Sequence, residues 1–383
     1  MVSKQKSFSG LSLFSGAGGM DIGFSAAGID VVWANDFDKS ACDTYAANKL
    51  GDIEHGDINL LIPSLKKFKN QIDIVFGGPP CQGFSVAGKM DPNDERSQLV
   101  WSYLRTVELL KPRAFVLENV KSLAVNDRFK IIRNKLISEF ENIGYSVSLQ
   151  VLVASDYGVP QKRERMFLVG VQKGLPHASH IAGFLNMQRK PGKSVRQTIG
   201  HLPPPGEKGN DLVCNAGITL ASSPILRKSP YAGMLFNGLG RPLNLNRPST
   251  TLPASMGGNK THIIDQKLLK NPRANDWISA YHAHLMDGGE PYDWKSAPDH
   301  LRRLTVKEAL LLQSFPEDFI IKASRTSAYR LIGNAVPCEL ARSVASAVTN
   351  LLNANLNEIK EANEEFETQD ALPLFSKRQK KAA

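Results

Sequence analysis

Cysteine is scarce in this 383-residue chain, and what there is does not cluster. Cys42, Cys81, Cys214 and Cys338 form no CxxC pair and no group with histidine. That argues against a disulfide framework or a zinc site and for reduced thiols. Long apolar runs are missing too: no segment approaches the length that crosses a bilayer. The opening MVSKQKSFS lacks the apolar stretch of a secretion signal. Acidic residues are in deficit, 37 Asp and Glu against 47 Lys and Arg, which leaves a formal charge of +10. An excess of that size favours a polyanionic partner, nucleic acid ahead of an anionic membrane surface, although charge alone is a weak signal. Internal repeats are absent. The 42% hydrophobic share is enough for a sizeable core. The length suggests one large domain and a smaller lobe.

The first 170 residues alternate short apolar runs with amphipathic segments. Strands are expected at Gly10–Phe14, Ile29–Ala34, Ile72–Phe76, Ala114–Leu117, Ser146–Val153 and Arg165–Val169. Helical patterns lie between them, at Lys39–Leu50, Leu99–Leu110 and Phe129–Ile143. In the second, Leu99, Tyr103, Leu104, Val107 and Leu110 recur at helical spacing. Such alternation predicts an α/β fold with a mainly parallel sheet and helices on both faces. From about Lys173 the texture changes: Pro, Gly and Asn become frequent and periodicity fades until Thr305–Phe315. A strong helical pattern returns at Cys338–Leu352. From about Glu358 the chain is charged and is expected to be disordered.

Ligands of open parallel sheets bind outside the carboxyl ends of the strands, so the segments just beyond the early strands are a test. Phe14-Ser15-Gly16-Ala17-Gly18-Gly19 comes after the first. Asn35-Asp36-Phe37-Asp38 comes after the second. Gly77-Gly78-Pro79-Pro80-Cys81-Gln82 succeeds Ile72–Phe76, and Glu118-Asn119-Val120 succeeds Ala114–Leu117. Four chemically unusual segments thus fall on one predicted edge. The glycine loop is not a Walker loop, because it leads into no Gly-Lys-Ser/Thr. Nor is it GxGxxG, since Asp21 holds the third glycine's place. Its bland reading is a tight turn; its functional reading is close backbone approach to a ligand. Asp36 is placed either for ribose hydroxyls or as a helix cap. Together they suggest a nucleoside-containing cofactor that needs no phosphate-gripping lysine.

Cys42, Cys214 and Cys338 read as inert core. Cys81 does not: two prolines stiffen the approach to it and two glycines leave space before it. A thiol is only slightly ionised at neutral pH and needs a proton acceptor or a favourable field. Glu118, at the next strand's end, is the candidate neighbour.

The segments FSGAGG (14–19), GGPPCQGFS (77–85), ENV (118–120), QKRER (161–165), RPSTTLPA (247–254) and GNAVP (333–337), in this order and spacing, resemble the DNA (cytosine-5) methyltransferase family over nearly the whole chain. The resemblance is to the bacterial, restriction-modification type. It implies a Rossmann-like, S-adenosylmethionine-dependent catalytic domain over residues 8–172 and 325–356. A target-recognition lobe and hinge would span 173–324, and 357–383 would be a charged tail. Cys81 would be the nucleophile that adds to cytosine C6. Glu118 would hold the ring at N3 and the amino group, and Arg163 and Arg165 would support the site. Without the resemblance, Lys162-Arg163-Glu164-Arg165 reads as an exposed charge run. S-adenosyl-L-methionine would be held by Phe14, Gly16, Gly18, Asp36, Phe37, Asp57, Ile58, Pro79, Asn334 and Val336. The target base must leave the duplex to be reached. Ser85, Lys89 and Arg96, in a hydrophilic segment similar to the family's DNA-closing loop, are candidate phosphate contacts. In the lobe, Arg227, Lys228, Asn237, Arg241, Asn259 and Lys260 are available to DNA, while Arg247 is expected to organise the lobe. One departure stands out: the family often has Asp before Leu-Phe of the first motif, and here it is Ser12.

The tail segment Gln369–Phe375 either packs on the body or docks on the bacterial sliding clamp, whose short peptide ligands it resembles, although Ala371 replaces the usual Gln. A monomer in the bacterial cytoplasm, associated with the nucleoid and bound to no membrane, is expected. Two rivals stay open: an RNA cytosine-5 methyltransferase on the same scaffold, separable by assays on duplex DNA and tRNA, and a non-catalytic DNA-binding regulator, against which Cys81, Glu118 and Arg165 argue.

Overall fold

The computed structural model describes residues 7–80 and 99–370. They fall into two compact units, the first within Met1–Tyr157, Glu164–Lys190 and Val336–Ala383, the second Gly158–Arg163 and Pro191–Ala335. Composition puts the first break at Lys173, but 173–190 belongs with the first unit and 325–335 with the second.

The first unit is built on seven strands: β1 Phe8–Leu13, β2 Ile29–Asp36, β3 Ile53–His55, β4 Ile74–Gly77, β5 Ala114–Val120, β6 Tyr145–Val153 and β7 Glu164–Gln172. Their spatial order is β3-β2-β1-β4-β5-β7-β6. Pairing is parallel from β3 to β5; β7 runs antiparallel to β5 and β6. The α/β class and mainly parallel sheet expected from the sequence are present. The sequence pattern does not reveal β3, because three residues, Ile53, Glu54 and His55, carry no alternation that periodicity can detect. Both β2 and β5 run further than the apolar runs indicate, so Asp36, Glu118 and Asn119 lie within strands rather than after them.

Val75 and Phe76 are adjacent and both fully buried. Neighbours on a strand point to opposite faces, so both faces must be covered. On one, Val75, Phe115 and Leu117 pack with Tyr103 and Val107 of one helix (Leu99–Leu110) and Phe140 of another (Lys130–Asn142). On the other, Phe76 stacks on Phe24 of α1 (Gly19–Ala26) at 4.0 Å between ring centroids. The long helix Cys338–Asn353 lies so close to α1 that a Cβ on Gly23 would meet Cys338 O at 2.5 Å. Close helix packing, the usual task of the third glycine in a dinucleotide fingerprint, thus falls to Gly23 and not to position 21.

The charged stretch expected to be disordered instead continues as a helix, Leu356–Asp370. Ala362 is buried, and its carbonyl lies 2.5 Å from where a Cβ on Gly183 would be, in the short helix Ile181–Asn186. Ile359, Ala362 and Phe366 recur at helical spacing, but three apolar residues among so many charges are a weak stripe for a sequence to display. Ala371–Phe375, most of the suggested clamp-docking segment, lies outside the described residues. No helix among the described residues is long and apolar enough to cross a membrane.

The strands of the second unit are short and its helices, such as Trp277–Met286 and Arg325–Asn334, are joined by long loops. Gln161–Lys162 pairs with Ser249–Thr250, and Ile263–Asp265 with Leu301–Arg303. A satellite core gathers Leu220, Phe236, Ile278 and Tyr281. Arg303, buried, substitutes for the missing ladders. Its guanidinium donates to the carbonyls of Ala216, Thr261 and Gly217 and to Asn237 Oδ1.

Candidate active site at the carboxyl ends of the strands

Parallel pairing puts the carboxyl ends of β1, β2, β4 and β5 on one edge. Because β7 is antiparallel to β5, its amino end joins them: Arg165 is in register with Val120. This is how Arg165, 47 residues further along the chain, reaches Glu118.

At the end of β1 the chain turns through left-handed backbone at Phe14 (φ 55°), Gly16 (φ 56°) and Gly18 (φ 84°). For a bulky residue such as Phe14 this conformation is unfavourable; its ring packs against the core and holds it there. A Cβ on Gly16 would meet nothing within 4 Å, so the loop is open on that side. Asp36 ties the loop to β2: Oδ2 accepts from Gly16 N at 2.8 Å and Oδ1 from Asp38 N at 2.8 Å. Burial pushes its pKa up from the usual carboxylate value. The helix cap weighed for Asp36 is in fact Asp38, which accepts from Ser40 N. Each oxygen of Asp36 keeps a lone pair for a hydroxyl donor. Phe37, next in sequence, is 77% exposed.

Asn35, a residue the sequence does not single out, is buried and donates to Glu54 O and Gly56 O. It fixes the turn that carries Asp57. Asp57 caps the short helix Ile58–Leu61 through Asn59 N, and the Ile58 side chain is in the core, leaving its backbone for any ligand.

Glu118, 8% exposed, pairs through Oε1 with Arg165 Nε at 2.9 Å. Its Oε2 lies 2.8 Å from the position of a Cβ on Gly78. Asn119, on the opposite face of β5, is fully enclosed and donates to Pro79 O at 3.1 Å. Glu118 and Asn119 therefore bracket Gly78-Pro79 from two sides. Only the adjacency of Asn119 to Glu118 could have signalled it. Cys81, Ser85, Lys89 and Arg96 lie outside the described residues. Gly78→Ala should fold, since alanine suits that backbone, but its methyl would push the Glu118 carboxyl aside. Activity is expected to fall on the order of 100-fold with little change in Tm; unchanged turnover would refute this placement.

The charge-run alternative fails for Arg163. It is 1% exposed, with Nη1 donating to Leu252 O at 3.0 Å and Nη2 to Gly333 O at 2.7 Å, all within the second unit. Its contacts are to backbone, whereas Arg165 takes the carboxylate. Gln161 and Gln313, both fully buried, extend the same network: Gln161 accepts from Leu252 N, and Gln313 donates to Ile332 O and Ala335 O. Asn334, exposed, ends a helix of the second unit; Val336, buried, belongs to the first.

Among lobe residues offered to DNA, Asn237 is spent on structure. It donates to Gly217 O, and its Oδ1 accepts from Thr219 N and Arg303. Arg227, Lys228, Arg241, Asn259 and Lys260 are exposed. Arg247 is exposed as well, and its backbone rather than its side chain joins the lobe, accepting from Val195 N.

Thr250 and Thr251 of RPSTTLPA are held by His262 Nε2, 2.9 Å from Thr250 Oγ1, and by Lys162 O. Burial, then the charge of Arg241, lowers the His262 pKa to about 4. The folded state therefore holds fewer protons than the unfolded chain between pH 6.5 and 4, and stability falls as the pH drops through that window. The loss should approach about 3 kcal/mol by pH 4. His262→Gln should flatten this part of the stability profile in denaturant titrations; an identical slope in the variant would contradict the assignment.

The family model for the C-5 cytosine-specific DNA methylase matches residues 8–350. The chain is 33% identical over 368 residues to type II methyltransferase M.NgoFVII of Neisseria gonorrhoeae, covering 91% of this chain and 88% of that protein. It is 31% identical over 350 residues to M.FnuDI of Fusobacterium nucleatum, covering 89% and 94%. Among solved structures, the fold is shared with S. pombe Dnmt2 methyltransferase at TM-score 0.63 and 19% identity, covering 91% of this chain and 99% of that one. An E. coli prophage protein described as a DNA modification methyltransferase also has TM-score 0.63, at 24% identity, covering 91% and 100%. With the six motifs in order, the strand-edge site and a family match from β1 to the last helix of the sheet's cover, the chain belongs to the C-5 cytosine-specific DNA methylases.

Proposed function

We propose that this enzyme transfers a methyl group from S-adenosylmethionine to C5 of a cytosine flipped out of a specific duplex sequence, as the modification half of a restriction-modification system. The observation that carries the residue roles is the Glu118–Arg165 pair, with Glu118 Oε2 against Gly78, three residues before Cys81. The donor supplies an electrophilic sulfonium methyl. Its residues here fit a nucleoside sulfonium: an open glycine turn at Gly16, a carboxylate at Asp36 with lone pairs to spare, and the exposed ring of Phe37.

Cytosine C5 is a poor nucleophile while its electrons belong to the aromatic ring. Addition of the Cys81 thiolate to C6 breaks that system and leaves C5 enamine-like, able to attack the methyl carbon. Glu118, oriented by Arg165 and carrying a proton when the base is bound, gives that proton to N3 as the thiolate adds and accepts from the exocyclic amino group, which neutralises the charge that develops on the ring. Loss of the C5 proton to solvent, elimination of Cys81 from C6 and return of the N3 proton to Glu118 restore the ring and free the thiolate. Ser85, Lys89, Arg96, Arg227, Lys228 and Arg241 serve phosphates or base edges. Incubating the full chain with labelled S-adenosylmethionine and either plasmid DNA or tRNA tests this reading. Label in DNA C5-methylcytosine at one sequence context is expected; label in tRNA alone would replace DNA with RNA as substrate.

A further inference from the structure

One carboxyl group beneath the glycine loop has no part in that reaction. Asp21 lies in the first turn of α1, whose N-cap is Gly18. It is 1% exposed. Its Oδ1 accepts from the Tyr45 hydroxyl at 3.1 Å, and its Oδ2 has no hydrogen-bond partner. The groups that face it are Ser12 of β1, Tyr45 of the helix Lys39–Ala47, Asp36 at the end of β2, and Cys338 at the start of the long helix. None of these is basic. A buried carboxyl with an idle oxygen and no cation destabilises a fold unless something compensates it.

Its neighbours are the struts of the loop. Ser12 Oγ lies 2.8 Å from Ser15 Oγ, inside the loop, and the Tyr45 ring packs on Gly18, where a Cβ would come within 3.1 Å of it. The loop therefore rests on Ser12 and Tyr45; Tyr45 donates to Asp21, and Ser12 lies beside it. We propose that Asp21 is a positioning residue for the methyl donor: it braces the Phe14–Gly18 loop through Ser12 and Tyr45, and its negative charge compensates the sulfonium of the donor. The product of transfer, a neutral thioether, loses that compensation, so Asp21 favours donor over product. This rests on the reading of the loop as the S-adenosylmethionine site. It also accounts for Ser12. Where the resembled family often has a carboxylate at position 12, this chain keeps its carboxylate beside that position, on α1.

Burial, opposed by the Tyr45 hydroxyl, raises the Asp21 pKa to about 7. A cationic ligand favours the ionised form, so donor binding at pH 7 should release a proton and should tighten as pH rises from 6 to 8. Calorimetry of the full chain with S-adenosylmethionine and with S-adenosylhomocysteine, in two buffers of different ionisation enthalpy, measures both. Proton release with the donor and less with the thioether is expected. Asp21→Asn, which keeps the shape, should weaken the donor about tenfold and the thioether much less, and should abolish the pH dependence. The exchange Ser12→Asp with Asp21→Ser should recover donor preference that Asp21→Ser alone loses. Equal weakening of both ligands in Asp21→Asn, or wild-type donor binding that is flat with pH and releases no proton, would overturn the proposal. The wild-type measurement decides even if a variant fails to fold. If wild type binds neither ligand, it is the cofactor reading that fails.

Discussion

Replacing Cys81 by serine is expected to lower methyl transfer by about 10⁴-fold or more while leaving donor affinity nearly unchanged. The reason is chemical rather than steric. Serine fits wherever cysteine fits, but its hydroxyl is far less acidic than a thiol and supplies almost no anion for addition to C6. The proposed donor site is built from other segments, the Phe14–Gly18 turn, Asp36 and the Asp57 turn, so calorimetric binding of S-adenosylmethionine should survive. The wild-type protein supplies the converse test. On DNA with 5-fluorocytosine at the target, C5 carries fluorine, which cannot leave as the proton does. Elimination is then blocked, and the enzyme should stay covalently attached through denaturing electrophoresis. Normal turnover by Cys81→Ser, or no adduct with wild type, would remove Cys81 from the mechanism.

The edge to which this chemistry is assigned was legible because parallel strands bring the residues at their ends to one place. Strand β4 is an apolar run ending at Gly77, and β5 begins as one, so the neighbourhood of Glu118 and Gly78 could be read from the chain alone. The details that depend on contacts between distant segments could not. Arg163 and Arg165 are two residues apart and look alike in sequence. Yet one is sealed under Leu252 and Gly333, and the other faces Glu118. Asn35 and Asn119 are polar residues closing strands, and nothing local distinguishes them from turn formers; their task is to hold the carbonyls of Glu54, Gly56 and Pro79. Arg303 likewise reads as a surface charge until the loops it gathers are in place. In each case the deciding fact is an acceptor many residues away. Periodicity carries burial along one element and says nothing of such partners.

Glu118→Gln should lower kcat by about 10³-fold. The amide keeps the shape of the carboxyl and can still accept a hydrogen bond from the cytosine amino group. It has no acid proton to give to N3, and it breaks the ion pair with Arg165 at 2.9 Å. The Arg165 side chain is 15% exposed at that pair, so the partner left behind is a largely enclosed guanidinium. Donor affinity should change little, because Asp36 rather than Glu118 ties the glycine turn. The sharper measurement is the double variant. If Arg165 acts by orienting Glu118, then Arg165→Gln adds little once Glu118 is already Gln, and the two losses are far from additive. If Arg165 instead has its own contact with the base, the losses multiply. Full additivity would therefore separate the two side chains that the structure places together, and would move Arg165 from support of the carboxylate to direct recognition of cytosine.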